Sequence, residues 1–391
     1  MRIALFTDTY LPQINGVTVY LSDSIKLLSQ DNDILLFAPG RDRHLKVDKP
    51  SKRLKIYWIP ASSFPFYEGY RMASIDYRRV SGILKKETPD IVHAHAPVLL
   101  GLQGIFAAKR QGLPLVVTYH THFPDYVPHL LNNKLPKFLH RLSHYTVRKL
   151  IKHVFRRADR VTAPTGELMR ELRSYGLHNV VHIPNGIAFG KFEKDGKEAE
   201  RFARRFRLGN RKIVLYAGRI SFEKRLDLLL EAFSMIERKD RLLLIVGSGP
   251  YLHTLKNMAR GLGVKNVVFT GFIEPAALSA AYQCADLFAS ASDTETFGLT
   301  FVEAMHMGVP AVGVRRLGAK EVIRDRRTGI LVEPGDAAAL AKAMEQLLEN
   351  KKLRQRMGAE GRRSSEEYSI ERSVKRMMKL YRSLVKVRPS I

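Results

Sequence analysis

Short apolar runs alternate with amphipathic stretches along most of the chain. RIALFT, DILLFAP, LKIYWIP, DIVHAHA and LPLVVTYH are apolar on both alternating faces, the pattern of strands buried within a parallel sheet. A Gly/Pro-marked turn or a helical pattern follows each, and RADRVTAPT and VVHIPNGI continue the series. A charged helical stretch then spans Lys191 to Arg207. The alternation restarts with RKIVLYAGR, RLLLIVGSG, NVVFTGF, ADLFASAS, VPAVGV and GILVEPGD, and the last forty residues read as helices. Two βα series joined near residues 186–210 predict an α/β protein of two Rossmann-like domains with parallel sheets facing a cleft. The expected boundaries are 1–188 and 189–371, with a C-terminal helix over 372–391 returning to the first domain.

Length agrees with this division, because 391 residues exceed one ordinary core. At 45% hydrophobic and 26% charged residues the chain is expected to be globular. MRIALFTDTYLPQINGV reads as a buried strand and a turn, not a signal peptide, and no apolar window approaches 18 residues. The single Cys284 forbids an internal disulfide and suits a reducing compartment. Charge is the unusual bulk property, at +27. Residues 1–188 carry 27 basic and 14 acidic groups and the remainder 38 and 24, so +13 and +14, and neither half is an appended basic tail. Such a balance points to a polyanionic partner: nucleic acid, an anionic membrane or phosphorylated substrates. The plainer explanation is a general preference for Lys and Arg.

Ligands of open parallel sheets bind at the carboxyl ends of the strands, and four segments fall there. In YAGRISFEKRLD, Arg219 and Lys224 follow a strand, where two cations near a helix start suit a diphosphate. VGSGP places Gly247 in a small-residue turn, and TGFIEP places Ile273 where backbone groups can meet a base. In SASDTETFGLTFVEAMHMGVP a helix is expected to start around Gly298. Glu295 then lies in the preceding loop and Glu303 on the first turns, with the N–H groups of Phe297, Gly298 and Leu299 available to an anion. Glu303 can accept from ribose hydroxyls and Glu295 from a sugar. A purely structural reading leaves Glu303 without a partner.

Glu295-x7-Glu303, with GRISFEK upstream and VGSGP between, resembles the retaining GT-B glycosyltransferases of family 4. TDTYLPQINGV, DIVHAHAP and PNGI extend the resemblance over nearly the whole chain. It implies a nucleotide-sugar donor on the C-terminal domain and an acceptor on the N-terminal domain. It further implies Glu303 at the ribose, Arg219 and Lys224 at the diphosphate, and Glu295 at the donor sugar. Gly16 would bring a backbone N–H to the phosphates from the other domain. No metal and no cofactor is expected, since the nucleotide-sugar is a substrate. Ala188 departs from the pattern, because an acidic residue is common after PNGI.

His120 ends LPLVVTYH, and the family places a histidine there beside the donor sugar. His93-x-His95 and His120-x-His122 also have the alternation of a zinc site. With no cysteine or evident carboxylate to complete it, zinc is not expected.

Acceptor choice must come from the N-terminal half. SSFPFYEGYRMA presents Phe64, Phe66, Tyr67 and Tyr70 as an aromatic loop. From Lys134 to Arg160 there are nine basic residues and one acid, Asp159. Lys137, Arg141, Arg148, Lys149, Lys152 and Arg156 share one arc of a helical wheel, with Leu135, Leu139, Leu142, Leu150 and Val154 largely opposite. A break is expected near Thr146, where the apolar centre shifts. Such a segment reads as a membrane-surface anchor, or as a core helix with a solvated basic face. The segments look most like the branch that makes glycosyl-diacylglycerols or mannosylated phosphatidylinositols. The expectation is therefore a peripheral enzyme on the cytoplasmic face of the cell membrane. It would move hexose from UDP-glucose or UDP-galactose to a lipid such as diacylglycerol. GDP-mannose as donor, a soluble sugar phosphate or polysaccharide as acceptor, and a non-catalytic sensor remain open. A nucleic-acid partner is not expected, since no base-reading module is present.

Overall fold

The computed structural model describes all residues except 14, 64–69, 96, 121, 123–136 and 387–391, and residues 137–144 by their helical backbone alone. It divides into two compact units, residues 1–186 with 370–391, and residues 187–369.

The described strands of the first unit are β1 (Arg2–Thr7), β2 (Asp33–Pro39), β3 (Lys46–Ser51), β4 (Leu54–Ile59), β5 (Ala61–Ser63), β6 (Arg71–Ala73), β7 (Ile91–His95), β8 (Leu115–Thr118), β9 (Arg160–Ala163) and β10 (Val180–His182). Eight of them form one sheet in the order β10-β9-β8-β7-β1-β2-β4-β3. The centre is parallel, with β1 flanked by β2 and β7. Ile3 to Phe6 and Ile91 to Val92 are buried on both faces, which explains their unbroken apolar runs. The all-parallel expectation fails at the edge, where β3 pairs antiparallel with β4. Its sequence KVDKPS has no apolar alternation, and Lys and Pro suit an outer strand. A separate hairpin, β5 with β6, was equally unmarked. The helix Ile370–Val385 joins this unit: Met377, Met378 and Tyr381 pack with Leu21, Ile25 and Leu28 of the helix Gly16–Asp31.

The second unit carries β11 (Lys212–Ala217), β12 (Arg241–Val246), β13 (Val267–Gly271), β14 (Leu287–Ala289), β15 (Ala311–Val314) and β16 (Gly329–Val332). Their order is β13-β12-β11-β14-β15-β16, all parallel. The order reverses direction between β11 and β14, so the loops after these strands meet at a topological switch point. The charged stretch from Lys191 is shorter than expected: the helix is Gly196–Arg205, capped by Asp195 on the N–H groups of Lys197 and Glu198.

Candidate functional site

At the switch point of the second unit, the loop after β11 and the loop after β14 are tied by side-chain hydroxyls. Ser292 Oγ and Thr294 Oγ1 donate to the carbonyl of Glu223 at 3.4 and 3.1 Å. This pins a short 3-10 turn, Phe222–Lys224, against the segment that leads to Glu295. Lys224 Nζ then donates to Glu295 Oε1 at 2.6 Å. Burial alone would lower the Lys224 ammonium. The facing Glu295 carboxylate, with Tyr216 and Glu223, outweighs it and pushes the group up, so Lys224 stays charged. Arg219 sits half-buried after the same strand, its carbonyl accepting from Tyr216 Oη at 3.0 Å.

Gly247 has φ +131, and a Cβ there would lie 1.9 Å from the Gly218 carbonyl oxygen. The close approach that demands glycine is thus to the neighbouring backbone, locking VGSG against GRI. Ile220 N donates to Ser248 O, and Tyr251 N to Ile220 O, along the same seam. Ile273 is half-buried in the loop after β13, just before the helix Pro275–Cys284.

The helix expected near Gly298 is Leu299–His306, with Gly298 at φ 78 as its left-handed cap residue. Phe297 is buried with its ring edge-on to Tyr368. Among the described residues no acceptor lies on the N–H groups of Phe297, Gly298 or Leu299. Glu303 is buried and does have a protein partner, correcting the expectation of an orphan: Tyr282 Oη donates to its Oε2 at 2.8 Å. Burial raises the Glu303 carboxyl to about 7, against the lowering effects of Tyr282 and Lys191.

Two residues missed in the sequence hold this segment. Gly318 N donates to Glu295 O at 2.7 Å, and a Cβ on Gly318 would lie 2.3 Å from the Phe297 carbonyl carbon. Tyr282 anchors Glu303 from the helix Pro275–Cys284. A glycine starting a helix in RRLGA was the one available signal for the first, and nothing local marked the second.

In the first unit Gly16 is exposed at the start of its helix, while the Asn15 side chain takes the N–H groups of Val17 and Thr18 at 3.0 Å each. Asp8, also missed, accepts from the N–H groups of Val98, Leu99, Leu100 and Gly101 and holds the start of the helix Leu100–Arg110. His120 lies two residues beyond β8, buried, with Nε2 2.9 Å from His95 Nδ1. Burial drives the His120 imidazole down to about 3, so the ring is neutral at physiological pH. The four histidines do not converge. His93 bonds Tyr381 Oη and Thr118 Oγ1, whereas His122 Nε2 meets Glu171 at 2.9 and 3.0 Å. Among the described residues no group of three metal-binding side chains forms.

The basic segment is one helix, Lys137–Phe155, without the break expected at Thr146. No Gly or Pro lies within it, so the shift in apolar centre changes only the face it buries. Ile151, Val154 and Phe155 face the core, while Leu150 is 58% exposed and Tyr145 55%. Arg148, Lys149, Lys152 and Arg156 are exposed, with Arg148 over the Tyr175 ring and Lys149 over the Tyr145 ring. The side chains of Lys137 and Arg141, and the loop residues Phe64, Phe66 and Tyr67, lie outside the described residues. Among those described, no helix is long and apolar enough to cross a membrane.

Two family descriptions match most of this chain: Glycosyltransferase Family 4 matches residues 14–189 and Glycosyl transferases group 1 matches residues 197–364. An alpha-monoglucosyldiacylglycerol synthase of Streptococcus pneumoniae is 33% identical over 344 residues, which span 85% of this chain and 75% of that protein. The chain belongs to glycosyltransferase family 4. This glycosyltransferase is therefore a hexosyltransferase of a retaining family. A GDP-mannose-dependent alpha-mannosyltransferase of Mycolicibacterium smegmatis is 29% identical, spanning 93% of this chain and 92% of its own. The fold matches the structure of Anabaena Alr3699/HepE in complex with UDP-glucose, at TM-score 0.77, 18% identity and coverage of 98% and 100%. The likeness makes the two parallel-sheet domains those of a GT-B glycosyltransferase. Its charged side chains suit a nucleotide-sugar donor: two cations for a diphosphate, a helix start for an anion, and two carboxylates for hydroxyls.

Proposed function

We propose that this glycosyltransferase moves a hexose from UDP-glucose or UDP-galactose to a membrane lipid of the diacylglycerol type, at the cytoplasmic membrane surface. The donor lies on the second unit. Glu303 accepts from the ribose, Ile273 and Gly247 border the nucleoside, and Glu295 orients the sugar. Arg219, Lys224 and the N–H groups of Phe297, Gly298 and Leu299 receive the diphosphate. In the reaction the bond from the sugar's anomeric carbon to the phosphate oxygen breaks and a bond to the lipid hydroxyl oxygen forms on the same face. The hydroxyl proton passes to the departing diphosphate. Negative charge grows on that leaving group, where the Lys224 ammonium acts in place of a divalent ion.

The observation that carries the lipid acceptor is the exposed face of the helix Lys137–Phe155. Arg148, Lys149 and Lys152, with Arg156 just past its end, are exposed, as are Tyr145 and Leu150, a mixture that suits anionic headgroups over an apolar layer. The diacylglycerol-directed relative at 33% identity supports the same choice. The mannosyltransferase relative supports a second donor, GDP-mannose, at the same site. A screen of labelled UDP- and GDP-hexoses against lipid extracts and soluble sugar phosphates, run with EDTA, tests both. Label in chloroform-extractable product from a UDP-hexose is expected. Label only from GDP-mannose transfers the donor assignment to the second reading, and label only in soluble product removes the lipid.

A further inference from the structure

The last helix of the first unit, Ile370–Val385, carries charge that neither the donor nor the acceptor reading uses. Its inner side is apolar, with Met377, Met378 and Tyr381 buried in one core with Leu5, Leu21 and Val116. Its outer side is a row of cations: Lys375, Lys379 and Arg382 are exposed. Lys386, also exposed, continues the row just past the helix, its N–H donating to the Arg382 carbonyl. Steps of four, three and four residues keep these side chains within about 60° of arc over roughly 16 Å. Glu371 is the sole acid of the helix, and none of the four cations has an ion-pair partner among the described residues. None of the helix's large apolar side chains is exposed, unlike Tyr145 and Leu150 of the helix Lys137–Phe155.

This row points away from the basic face of the helix Lys137–Phe155. Along each strand, side chains alternate between the two faces of the sheet. Val116 shares the core of Met377 and Tyr381, and Thr118 reaches Tyr381 through His93, so the last helix covers that face of β8. Tyr119 points to the other face, where its ring meets Phe155 edge-on at 5.7 Å. The same face holds the helix Leu100–Arg110: a Cβ on Gly104 would lie 2.6 Å from the Phe6 ring, whereas neighbouring Leu5 lies with Met377. Arg157, two residues past Phe155, covers the Phe106 ring of that helix. Right-handed crossovers give the same answer, since β1 to β2 and β8 to β9 step in opposite directions along the sheet. The sheet thus separates the two basic faces, and a single flat bilayer cannot meet both.

We infer that the cation row of Ile370–Val385 and Lys386 is a docking face for a second anionic bilayer, so that the enzyme bridges two membranes. This rests on the lipid reading above, in which the helix Lys137–Phe155 holds the first bilayer. Charge complementarity carries the choice: four cations spaced roughly 5 Å apart meet a surface whose anionic headgroups can gather beneath them. With no large apolar side chain exposed beside them, the contact is electrostatic and does not enter the acyl layer. A nucleic-acid strand is less well served, since Tyr381, the helix's one aromatic residue, is buried and cannot stack on a base.

Vesicle capture by the full chain decides this, with vesicles of equal parts phosphatidylglycerol and phosphatidylcholine. One population is fixed to a surface and coated with protein, and a second, dye-filled population is then passed over it. Wild type is expected to capture the second population, and rising salt should release it. Replacing Lys375, Lys379, Arg382 and Lys386 together by Ser should leave binding to the fixed layer within a few-fold of wild type. Capture should then fall by roughly tenfold or more. Exchanging the three lysines for Arg keeps the charge and should keep capture, which separates the charge of the row from any change in folding. Capture by the Ser variant at the wild-type level overturns the inference. So does loss of its binding to the fixed layer, which would make this row the anchor, and so does duplex DNA bound through these residues without vesicle capture. A wild type that coats the fixed layer but captures nothing overturns the inference alone. A wild type that binds neither population overturns the lipid reading and the inference with it.

Discussion

Lys224 Nζ donates to Glu295 Oε1 at 2.6 Å across two loops that are 71 residues apart in sequence. The pair is about one-fifth exposed on both sides, so each charge is partly desolvated and depends on the other. Lys224→Ala should reduce turnover by about 10²–10³-fold while weakening donor binding far less, since the cation counts most as charge develops on the leaving diphosphate. Steady-state kinetics beside equilibrium binding of UDP-glucose separates the two. Equal losses in both would make Lys224 a binding residue only.

Glu303 predicts opposed effects on stability and binding. Its carboxyl is raised from 4.5 to about 7, so the folded state holds the proton more tightly than the unfolded chain. The stabilising contribution is fully present below about pH 4.5 and is lost as pH rises through 7. Glu303→Gln should therefore raise stability at pH 8 by about 1–3 kcal/mol, with a much smaller gain at pH 5. The same change should weaken donor binding, because ribose hydroxyls lose a charged acceptor worth roughly 1.5–3 kcal/mol. Thermal unfolding at the two pH values checks the first part, and an equal gain at both would contradict the assignment. In the wild type, donor affinity should improve between pH 6 and 8 as the carboxylate forms.

Gly318 ties the Glu295 loop to the following helix. A Cβ at this position would lie 2.5 Å from the Phe297 carbonyl oxygen and 2.7 Å from that of Glu295. Gly318→Ala must therefore move the segment that carries Glu295, Phe297 and Gly298. The expected result is a loss of about 1–3 kcal/mol in stability together with weaker UDP-glucose binding, read by denaturant titration and calorimetry. Unchanged binding at lowered stability would separate this loop from the donor.

The sequence disclosed those features whose cause is local. Strands such as Ile3–Phe6 and Leu242–Val246 are buried on both faces, so their apolar runs are unbroken. The helix start at Gly298 was legible because glycine suits its left-handed backbone. Edge strand β3 was not, since an outer polar strand lacks the alternation of a half-buried one. Nor were the contacts that tune the site. Tyr282 lies 21 residues from Glu303, and His95 lies 25 from His120. Such pairs are set by sheet order and not by neighbours in the chain.

The exposed helix face predicts salt-dependent membrane binding. Replacing Arg148, Lys149 and Lys152 by Ser should weaken binding to anionic vesicles by about 1 kcal/mol per charge, roughly a hundredfold in all. The deficit should shrink as salt rises, because screening already weakens the wild type. Donor affinity should stay constant, since these side chains point to solvent in the first unit. Vesicle sedimentation at several salt concentrations measures it, and wild-type binding by the triple variant would remove this helix as the anchor.

Transfer to a lipid at a charged surface can be followed directly. Its most direct measurement is the initial rate of labelled hexose transfer from UDP-glucose to diacylglycerol in vesicles, as the anionic lipid fraction is varied at constant diacylglycerol. Labelled glycolipid with the donor's anomeric configuration is expected, formed in the presence of EDTA, at a rate that climbs with anionic content and falls with salt. No lipid-borne label at any vesicle composition, with transfer to a soluble sugar or sugar phosphate under the same conditions, would contradict it.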